Sequence, residues 1–204
     1  NKLCDDLKIK LYLYDIKKEM GSSMCYIRAK VQHEKKGLKN CAICGVIKKW
    51  IMNREARKLK VKKIATGHNL DDETQTFLMN IFKGSPELSA SIGPITKNVR
   101  NKKFITRIKP LFYVDEKEIK KYSKENKFPV VYDKCPCALD SYRIQMREFV
   151  STLSEKQKEN VIKNFEKLLP RIQKLKTQEK LNYCEICSEP SQKRICRMCE
   201  LVKR

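Results

Sequence analysis

Long apolar runs are absent from this sequence of 204 residues. No stretch approaches the ~20 consecutive apolar residues that a helix needs to cross a lipid bilayer. The first residues also lack the basic, apolar and small-residue order of a secretion signal, and no internal repeat of helical-repeat length is found. These absences argue against a membrane partner and against secretion, so we expect a cytoplasmic protein whose cysteines stay reduced.

Acidic residues are scarce relative to basic ones. Lys and Arg total 46 against 24 Asp and Glu, which gives a formal net charge of +22. A field of this sign attracts polyanions and releases their counterions, so nucleic acid is the first partner to consider. A basic total does not establish a basic patch, however, and the lysine-rich stretches 58–63 and 120–127 are equally typical of solvated helix faces.

The hydrophobic pattern alternates between short strands and amphipathic helices. Runs rich in β-branched and aromatic residues predict strands at 9–14, 61–66, 104–108 and 128–132. Apolar residues at helical spacing predict helices at 44–59, 74–82 and 115–126. Asp115 and Glu118 resemble a capping box for the last of these helices. This order favours an α/β fold with a parallel sheet that helices cover on both faces.

The length suits one main domain with a small appendage. We expect a core over residues 1–150, a bridging helix within 151–180 and a cysteine-rich module over 181–204. Apolar spacing predicts one long helix from 154 to about 176, which Pro170 should kink or divide. The tail has little apolar content and four cysteines, so we expect it to need a metal to fold.

The tail carries two Cys-x-x-Cys pairs. They are Cys184 with Cys187 and Cys196 with Cys199, and eight residues separate the pairs. This spacing lets four thiolates surround one tetrahedral ion, and zinc is the expected metal. Because all four positions are filled by protein, the site would be structural and not catalytic.

A third Cys-x-x-Cys stands at Cys41 and Cys44, where a helix is predicted to begin. Two thiolates cannot close a tetrahedral site, so further ligands are needed, and Cys135 and Cys137 are the obvious candidates. With three thiolates, a four-iron four-sulfur cluster would keep one iron open to an exogenous sulfur. With four, the same residues would form a second closed zinc site, and the spacing does not choose between these.

Four motifs in this order resemble one family. They are Cys41-Ala42-Ile43-Cys44 with Lys48, the run 65–75 (Ala-Thr-Gly-His-Asn-Leu-Asp-Asp-Glu-Thr-Gln), the run 134–137 (Lys-Cys-Pro-Cys), and the terminal cysteine pairs. Together they are similar to the archaeal and eukaryotic-cytosolic tRNA 2-thiouridine synthetases, which are PP-loop ATP-pyrophosphatases. The resemblance runs from about residue 11 to the end of the chain. It implies a Rossmann-like PP-loop core with a C-terminal helical bridge and a zinc ribbon.

The resemblance also implies a reaction. ATP with magnesium would adenylate the C2 oxygen of a tRNA uridine, with preference for the wobble position, and sulfur would then displace AMP. By match to the family's motifs, Cys41, Cys44 and Cys135 are expected to hold the four-iron four-sulfur cluster. Cys137 falls where the family does not require a ligand.

Four further residues receive roles from the same match. Lys48 is expected to be a catalytic cation and Asp72 a residue of the adenylation site, while Gly67 and His68 would line the nucleotide pocket. Lys48 follows Cys44 by one helical turn, so both side chains share a helix face. Without the motifs, Lys48 would be interpreted as a surface lysine, Asp72 as a helix cap and His68 as a turn histidine.

The sequence departs from the family in one respect. The Ser-Gly-Gly-Lys-Asp-Ser loop, whose backbone amides cradle the ATP phosphates, is absent. We therefore expect that N-terminal residues precede Asn1, and that a protein beginning there would not turn over ATP. The sulfur donor, either sulfide or a thiocarboxylated carrier protein, and a homodimer are family expectations. Persulfide chemistry at Cys44 or Cys135 and a non-catalytic, zinc-stabilised RNA-binding protein are the alternatives.

Overall fold

The structure is a computed structural model that describes residues 1–34, 38–96, 103–133, 135, 142–175 and 182–202. Its α-helices are α1 (Lys2–Asp6), α2 (Ile16–Met20), α3 (Met24–Glu34), α4 (Asn40–Lys58), α5 (Leu70–Phe82), α6 (Glu116–Glu125), α7 (Tyr142–Thr152), α8 (Glu155–Leu175) and α9 (Arg197–Val202). A 3-10 helix covers Pro86–Ser91. The strands are β1 (Lys63–Ala65), β2 (Ile95–Thr96), β3 (Thr106–Ile108), β4 (Asn182–Tyr183) and β5 (Pro190–Ser191). None of the described helices is long and apolar enough to cross a membrane.

The main sheet has three strands in the order β1-β3-β2. β1 and β3 are parallel, with Ile64 opposite Arg107, whereas β2 runs antiparallel to β3, with Thr96 opposite Arg107. The strands predicted at 61–66 and 104–108 are confirmed, although each is shorter. The helix α5 follows β1 directly, as the alternating pattern requires.

The strands predicted at 9–14 and 128–132 are wrong: both segments are irregular in the structure. Their apolar side chains lie open, with Leu13 and Val131 each 81% exposed. A strand needs a neighbour for its backbone N–H and C=O groups, and no described strand lies beside either segment. The β-branched composition was therefore not sufficient, because β propensity depends on the tertiary setting.

The core of the sheet domain lies between α5, α8 and the 3-10 helix. Phe77 of α5 and Phe165 of α8 pack with ring centroids 4.6 Å apart, and Phe165 is fully buried. The long helix predicted from 154 is confirmed over Glu155–Leu175, and it continues through Pro170 without division. α8 contributes its apolar stripe to this core, because Ile162, Phe165 and Ile172 fall at helical spacing.

A second core joins the N-terminal helices to the tail. Ile27 and Val31 of α3 and Ile43, Ile47 and Ile51 of α4 pack with buried residues of the tail, which are Cys184, Cys196, Met198, Cys199 and Leu201. The three isoleucines of α4 recur every four residues and so share one face of the helix. The tail therefore rests on α3 and α4. The division of the chain at residues 150 and 180 stays a prediction.

Candidate functional site

The four cysteines of the tail come together around one point. The hairpin β4-β5 and the start of α9 carry them, and their Sγ atoms all lie within 4.8 Å of one another. The Sγ atoms of Cys187 and Cys196 are 3.5 Å apart, and the backbone N–H of Cys196 donates to Sγ of Cys184 at 3.2 Å. Backbone donors of this kind stabilise thiolates. The predicted grouping of these four residues is confirmed.

The electrostatics of this group favour a bound cation. Burial opposes ionisation of Cys184, but the backbone N–H groups of Cys196, Cys187 and Ile186 outweigh it and lower its pKa to about 6. Burial and, to a smaller extent, the neighbouring Cys187 raise the pKa of Cys196 to about 11. Thiolates this close repel one another unless a metal ion compensates their charge. Four convergent thiols with no other ligand type fit a closed zinc site.

The tail, which we call the ribbon (residues 182–202), is tied to α4 by polar contacts as well as by its core. Arg57 of α4 forms an ion pair with the buried Glu189 of the ribbon. Lys103 donates from Nζ to the carbonyl of Ser188 at 2.7 Å, and its ammonium lies 4.4 Å from the ring centroid of Tyr183. The ribbon is therefore held against the helix that carries Cys41 and Cys44.

Cys41 and Cys44 lie in the first turns of α4, and both are half-buried. The guanidinium of Arg28, itself 7% exposed, reaches Sγ of Cys44 at 3.9 Å and Sγ of Cys25 at 3.0 Å. Sequence reasoning missed Arg28 and the proximity of Cys25, because both lie on α3, where no motif marks them. The buried guanidinium therefore places a positive charge beside the sulfur atoms of Cys25 and Cys44.

Cys135 is exposed, and Cys137 lies outside the described residues. In the part of the chain that the structure describes, the ribbon is the one group of three or more metal-ligating side chains within 4.8 Å. Cys41, Cys44 and Cys135 are thus not gathered as tightly as the ribbon cysteines. Thiolates on different irons of a cluster do not share one ion, so they need not converge in that way. The assignment of Cys135 as third ligand stays a prediction.

Lys48 lies on α4 one turn beyond Cys44, and its side chain is exposed. The helix is confirmed over Asn40–Lys58, so Cys41, Cys44 and Lys48 follow one another along one face by helical spacing. Ile43 and Ile47 lie on a neighbouring face of the helix, which is buried. The helix thus presents two thiols and one ammonium on the side that is not packed against the ribbon.

Asp72 stands at the junction between β1 and α5, as predicted from the sequence. Its backbone N–H donates to Oδ1 of Asn69 at 2.9 Å, and its carboxylate accepts from the N–H of Asn69 at 3.4 Å, which completes a capping box. Asp72 is half-buried and lines a small depression with Asp71, Gln75, Glu116, Arg147 and Val150. Its carboxylate therefore caps the helix and also faces an open surface.

Gly67 and His68 form the turn between β1 and α5, and both are exposed. Nδ1 of His68 lies 3.0 Å from Oγ1 of Thr66. A Cβ atom built on Gly67 would meet nothing within 4 Å, so local packing does not require glycine there. Their role at a nucleotide pocket stays a prediction.

Residues 2–153 match the family described as the PP-loop domain (ATP_bind_3). The chain belongs to the PP-loop domain family. This match confirms the resemblance found in the motifs and the expected α/β class. It covers the sheet, α4 and α5, and it ends before α8 and the ribbon.

Individual relatives extend the match beyond the PP-loop domain. The chain is 32% identical to the tRNA 2-thiolation protein NcsA of Haloferax volcanii, with 98% of this chain and 65% of the relative covered. It is 33% identical to the tRNA-5-methyluridine(54) 2-sulfurtransferase of Pyrococcus horikoshii, with 78% and 52% covered. The structure matches the U34-tRNA thiolase NcsA from Methanococcus maripaludis, solved with its [4Fe-4S] cluster, with a TM-score of 0.76, 26% identity, and 99% of this chain and 62% of that chain covered. The chain spans between half and two thirds of the length of these proteins.

A polar network that joins α8 to the PP-loop domain escaped sequence reasoning. Nζ of Lys158, which is 1% exposed, lies 2.5 Å from Oδ1 of Asp71 and 2.6 Å from Oδ2 of Asp115. The other carboxylate oxygen of Asp71 accepts the backbone N–H of Glu116 at 2.8 Å. Lys158 precedes Ile162 by one helical turn, so a lysine on the apolar stripe of α8 was the available signal.

Asp115 was predicted to start α6 through a capping box with Glu118. The structure confirms Asp115 as the N-cap, since its side chain accepts from the N–H of Lys117 at 2.8 Å. The described contacts do not include the reciprocal bond from Glu118. The second carboxylate oxygen of Asp115 binds Lys158 instead. The hydrogen bonds with Lys158 and Lys117 outweigh burial and hold the pKa of Asp115 below its usual value.

Proposed function

We propose that this chain takes part in the ATP-dependent 2-thiolation of a tRNA uridine. The observation that carries the proposal is the match over 99% of the chain to a U34-tRNA thiolase that holds a [4Fe-4S] cluster. The cysteine-bearing helix supports it, because α4 presents Cys41, Cys44 and Lys48 along one face by helical spacing. The net charge of +22 suits a polyanionic substrate.

Cys41 and Cys44, with Cys135 as third ligand, would hold a four-iron four-sulfur cluster. When bound, such a cluster supplies one iron position free of protein ligands, where an exogenous sulfur atom can be held. The half-buried thiols of Cys41 and Cys44 fit this role because sulfur is the soft ligand that iron–sulfur clusters take, and the guanidinium of Arg28 lies 3.9 Å from Sγ of Cys44. The ribbon cysteines would hold zinc as a structural ion, with ligands Cys184, Cys187, Cys196 and Cys199.

The protein's own side chains would serve the two chemical steps. In the first step the C2 oxygen of the uridine attacks the α-phosphorus of ATP, and pyrophosphate leaves with magnesium. In the second step sulfur bonds to C2 and AMP departs with the former oxygen. Lys48 would stabilise the negative charge that develops on the substrate, and Asp72 would act within the adenylation site. Gly67 and His68 would line the nucleotide pocket.

The substrate position and the partners also belong to the proposal. We favour the wobble uridine, although one relative is named for uridine 54 and another for U34. The sulfur donor would be sulfide or a thiocarboxylated carrier protein, and the protein would act in the cytoplasm as a homodimer. Relatives named "Cytoplasmic tRNA 2-thiolation protein 1" support the compartment.

A second reaction route is favoured by one observation. The guanidinium of Arg28 contacts the sulfur atoms of both Cys25 and Cys44. A cation shared by two thiols could stabilise a persulfide on Cys44, formed when the Cys44 thiol accepts a sulfur atom from a sulfane-sulfur donor such as the persulfide of another protein. The outer sulfur would attack C2 as AMP leaves, and a second thiol such as Cys25 would then attack the sulfur of Cys44. This releases the 2-thiouridine and leaves a disulfide that an external thiol reduces. The two routes differ in their need for iron, so metal content separates them.

The test begins with iron, acid-labile sulfide and zinc analysis on protein purified without oxygen. The proposal expects about four iron and four sulfide per chain beside zinc, and thiolation of tRNA in the presence of ATP and magnesium. Cys44→Ser should lose the iron and the thiolation but keep the zinc. Cys4→Ser is the matched control, because Cys4 is a half-buried thiol of α1 outside the motifs.

Three results would decide the matter. Iron-dependent thiolation that Cys44→Ser abolishes and Cys4→Ser retains would support the proposal. Thiolation by protein that binds zinc but no iron would transfer support to the persulfide route. Iron binding without thiolation of tRNA transcripts carrying uridine 34 or uridine 54 would contradict the proposed function.

A further inference from the structure

Four basic side chains converge on one face of the main sheet. We call Lys49, Arg107, Lys109 and Arg143 the basic cluster. Arg107 and Lys109 are two residues apart on the central strand and its extension, where the backbone N–H of Lys109 donates to Pro94 at 2.9 Å. Side chains two residues apart along a strand lie on the same face. β3 and the residue that follows it therefore contribute two cations, Arg107 and Lys109, to the basic cluster.

The packing of α4 on β3 adds Lys49 to this face. The side chain of Asn53, which is buried, accepts from the N–H of Ile105 and donates to the carbonyl of Lys103, both at 2.9 Å. Lys49 lies one helical turn before Asn53, about 6 Å along the helix axis. Arg107 lies two strand residues after Ile105, about 6.6 Å along the strand. Since the helix and the strand run in opposite directions from this contact, Lys49 and Arg107 come to the same level.

α5 brings the fourth member of the cluster. Gln75 of α5 donates from its side-chain amide to the backbone carbonyl of Arg143, at the start of α7. Glu73 of the same helix binds Nζ of Lys109 at 2.8 Å and is buried. Partial burial and the positive charges of Arg107, Arg143 and Lys109 lower the pKa of Lys49. Lys49 therefore lies close enough to the other three cations to experience their charge.

The negative charge near the basic cluster does not balance its four positive charges. Glu73 compensates Lys109, but Lys49, Arg107 and Arg143 form no ion pair with any residue that the structure describes. The neighbours of Arg107 across the sheet, Ile64 and Thr96, are uncharged. Arg107 is half-buried, and burial lowers its pKa. Lys49 and Arg143 are exposed and can reach a ligand in solvent. An unpaired, half-buried cation such as Arg107 is costly to the fold, so its presence beside two further cations indicates an anionic ligand.

We propose that Lys49, Arg107 and Arg143 bind a phosphate group of the substrate. Arginine guanidinium groups match the geometry of phosphate oxygens through paired hydrogen bonds, and lysine adds a point charge. The inference rests on the proposed function, which supplies two phosphate sources: the polyphosphate of ATP and the backbone of tRNA. The site lies near the first turns of α5, the helix that carries Asp72, because Glu73 of that helix binds Lys109 and Gln75 binds the backbone carbonyl of Arg143.

Binding experiments on the whole protein test the site without a need for the cluster or for turnover. Inorganic pyrophosphate and a short tRNA anticodon stem-loop are titrated separately into wild type, Arg107→Gln and Arg143→Gln. Loss of one charge-assisted contact should weaken binding roughly tenfold. Arg171→Gln is the matched control, since Arg171 is an exposed arginine of α8 away from the sheet.

The two probes distinguish the source of the phosphate. If the nucleotide occupies the site, the cluster variants weaken pyrophosphate binding and leave the stem-loop affinity near wild type. If the RNA backbone occupies the site, stem-loop binding weakens in the variants. The slope of log affinity against log salt concentration then decreases by about one, as expected for the loss of one phosphate contact. Affinities for both probes equal to those of Arg171→Gln would overturn the inference.

A stability measurement separates binding from a structural role. Neutralising a half-buried cation without a partner removes repulsion, so Arg107→Gln should keep or raise the thermal midpoint while it weakens phosphate binding. A lowered midpoint for Arg107→Gln with unchanged phosphate affinity would show a structural role and reject the site. Protection of Lys49 from amine acylation by pyrophosphate or by the stem-loop offers a second readout, and unchanged labelling with both would count against the inference.

These experiments can reject the phosphate site and the proposed function separately. Phosphate binding that depends on Arg107 and Arg143 in a protein that does not thiolate tRNA would retain the site and reject the proposed reaction. Thiolation that persists in both variants with unchanged affinity for pyrophosphate and RNA would retain the reaction and reject the site.

Discussion

Nζ of Lys158 lies 2.6 Å from Oδ2 of Asp115, and both residues are buried. Asp71 binds the same ammonium and also receives the backbone N–H of Glu116. The backbone N–H of Leu70 donates to the carbonyl of Val114 nearby. One lysine of α8 thus connects the first turn of α5, where Asp71 precedes Asp72, to the first turn of α6.

Replacing Lys158 with methionine should strongly destabilise the protein. Two carboxylates would be left without their cation in a buried setting, and the free energy of unfolding should fall by ~3–5 kcal/mol. Urea unfolding measured by circular dichroism gives the value. Lys163→Met is the control, because Lys163 pairs with Glu159 on the exposed side of the same helix and should change stability by less than about 0.5 kcal/mol. Equal effects of the two changes would contradict the interpretation.

The contribution of this network should depend on pH in a defined direction. The hydrogen bonds from Lys158 and Lys117 outweigh burial and lower the pKa of Asp115, so its stabilisation is present above the usual aspartate pKa and is lost as pH falls through the lowered value. The two aspartates outweigh burial and raise the pKa of Lys158, so its stabilisation is lost only as pH rises through that value.

The difference in stability between wild type and Lys158→Met should therefore be constant from about pH 5 to pH 10 and should shrink below about pH 4. In the variant, protonation of the unpaired carboxylates removes the free-energy cost of burying their negative charge. This further reduces the difference in stability between wild type and variant. Unfolding curves across this range check the prediction. A difference that grows on acidification would contradict it.

The capping box of α5 allows the two roles of Asp72 to be separated. Asp72→Asn keeps a side-chain oxygen that can accept from Asn69, so stability should change little, while thiolation should fall by roughly 10²-fold or more if the carboxylate acts in the reaction. Asn69→Ala removes the other half of the box and should cost about 1 kcal/mol of stability with activity near wild type. Thermal unfolding and tRNA thiolation, measured on both variants, give the answer. If thiolation activity falls in both variants in proportion to the loss of stability, Asp72 acts as a helix cap and not in the reaction.

Removal of the metal proposed for the ribbon should loosen α4 before it affects the sheet domain. Cys196 and Cys199 share a core with Ile43 and Ile47, whereas Phe77 and Phe165 belong to the other core. Chelation, or Cys196→Ser, should therefore speed hydrogen exchange in α4 and leave the protected amides of α5 and α8 unchanged. Mass spectrometry of exchanged peptides resolves the helices, and α5 serves as the internal reference. Uniform exchange in all three helices would show that the ribbon does not stabilise α4 in particular.

Local patterns of apolar residues in the sequence predicted much of the fold. Helical spacing in the sequence predicted α4, α5 and α8, because each helix buries a stripe whose residues recur every three to four positions. The same approach failed at 9–14 and 128–132, where strand-like composition had no neighbouring strand to pair with. A strand depends on hydrogen bonds to distant residues, whereas a helix forms its hydrogen bonds within itself.

The candidate sites show the same division. Two Cys-x-x-Cys pairs at short separation predicted the ribbon site, because neighbouring knuckles need little further structure to converge. Arg28 beside Cys44 was missed, since the two residues meet only when α3 packs on α4.

By itself, the sequence determined the family, the cysteine pairs and the helices that carry Cys41, Cys44, Lys48 and Asp72, since these depend on residues close together in the chain. The tertiary structure alone decided that Lys158 joins Asp71 to Asp115, that the ribbon rests on α4, and that Lys49 lies within electrostatic reach of Arg107 and Arg143. Each of these relationships brings together residues from separate elements. Their charge and burial acquire meaning only through packing, which no local spacing encodes.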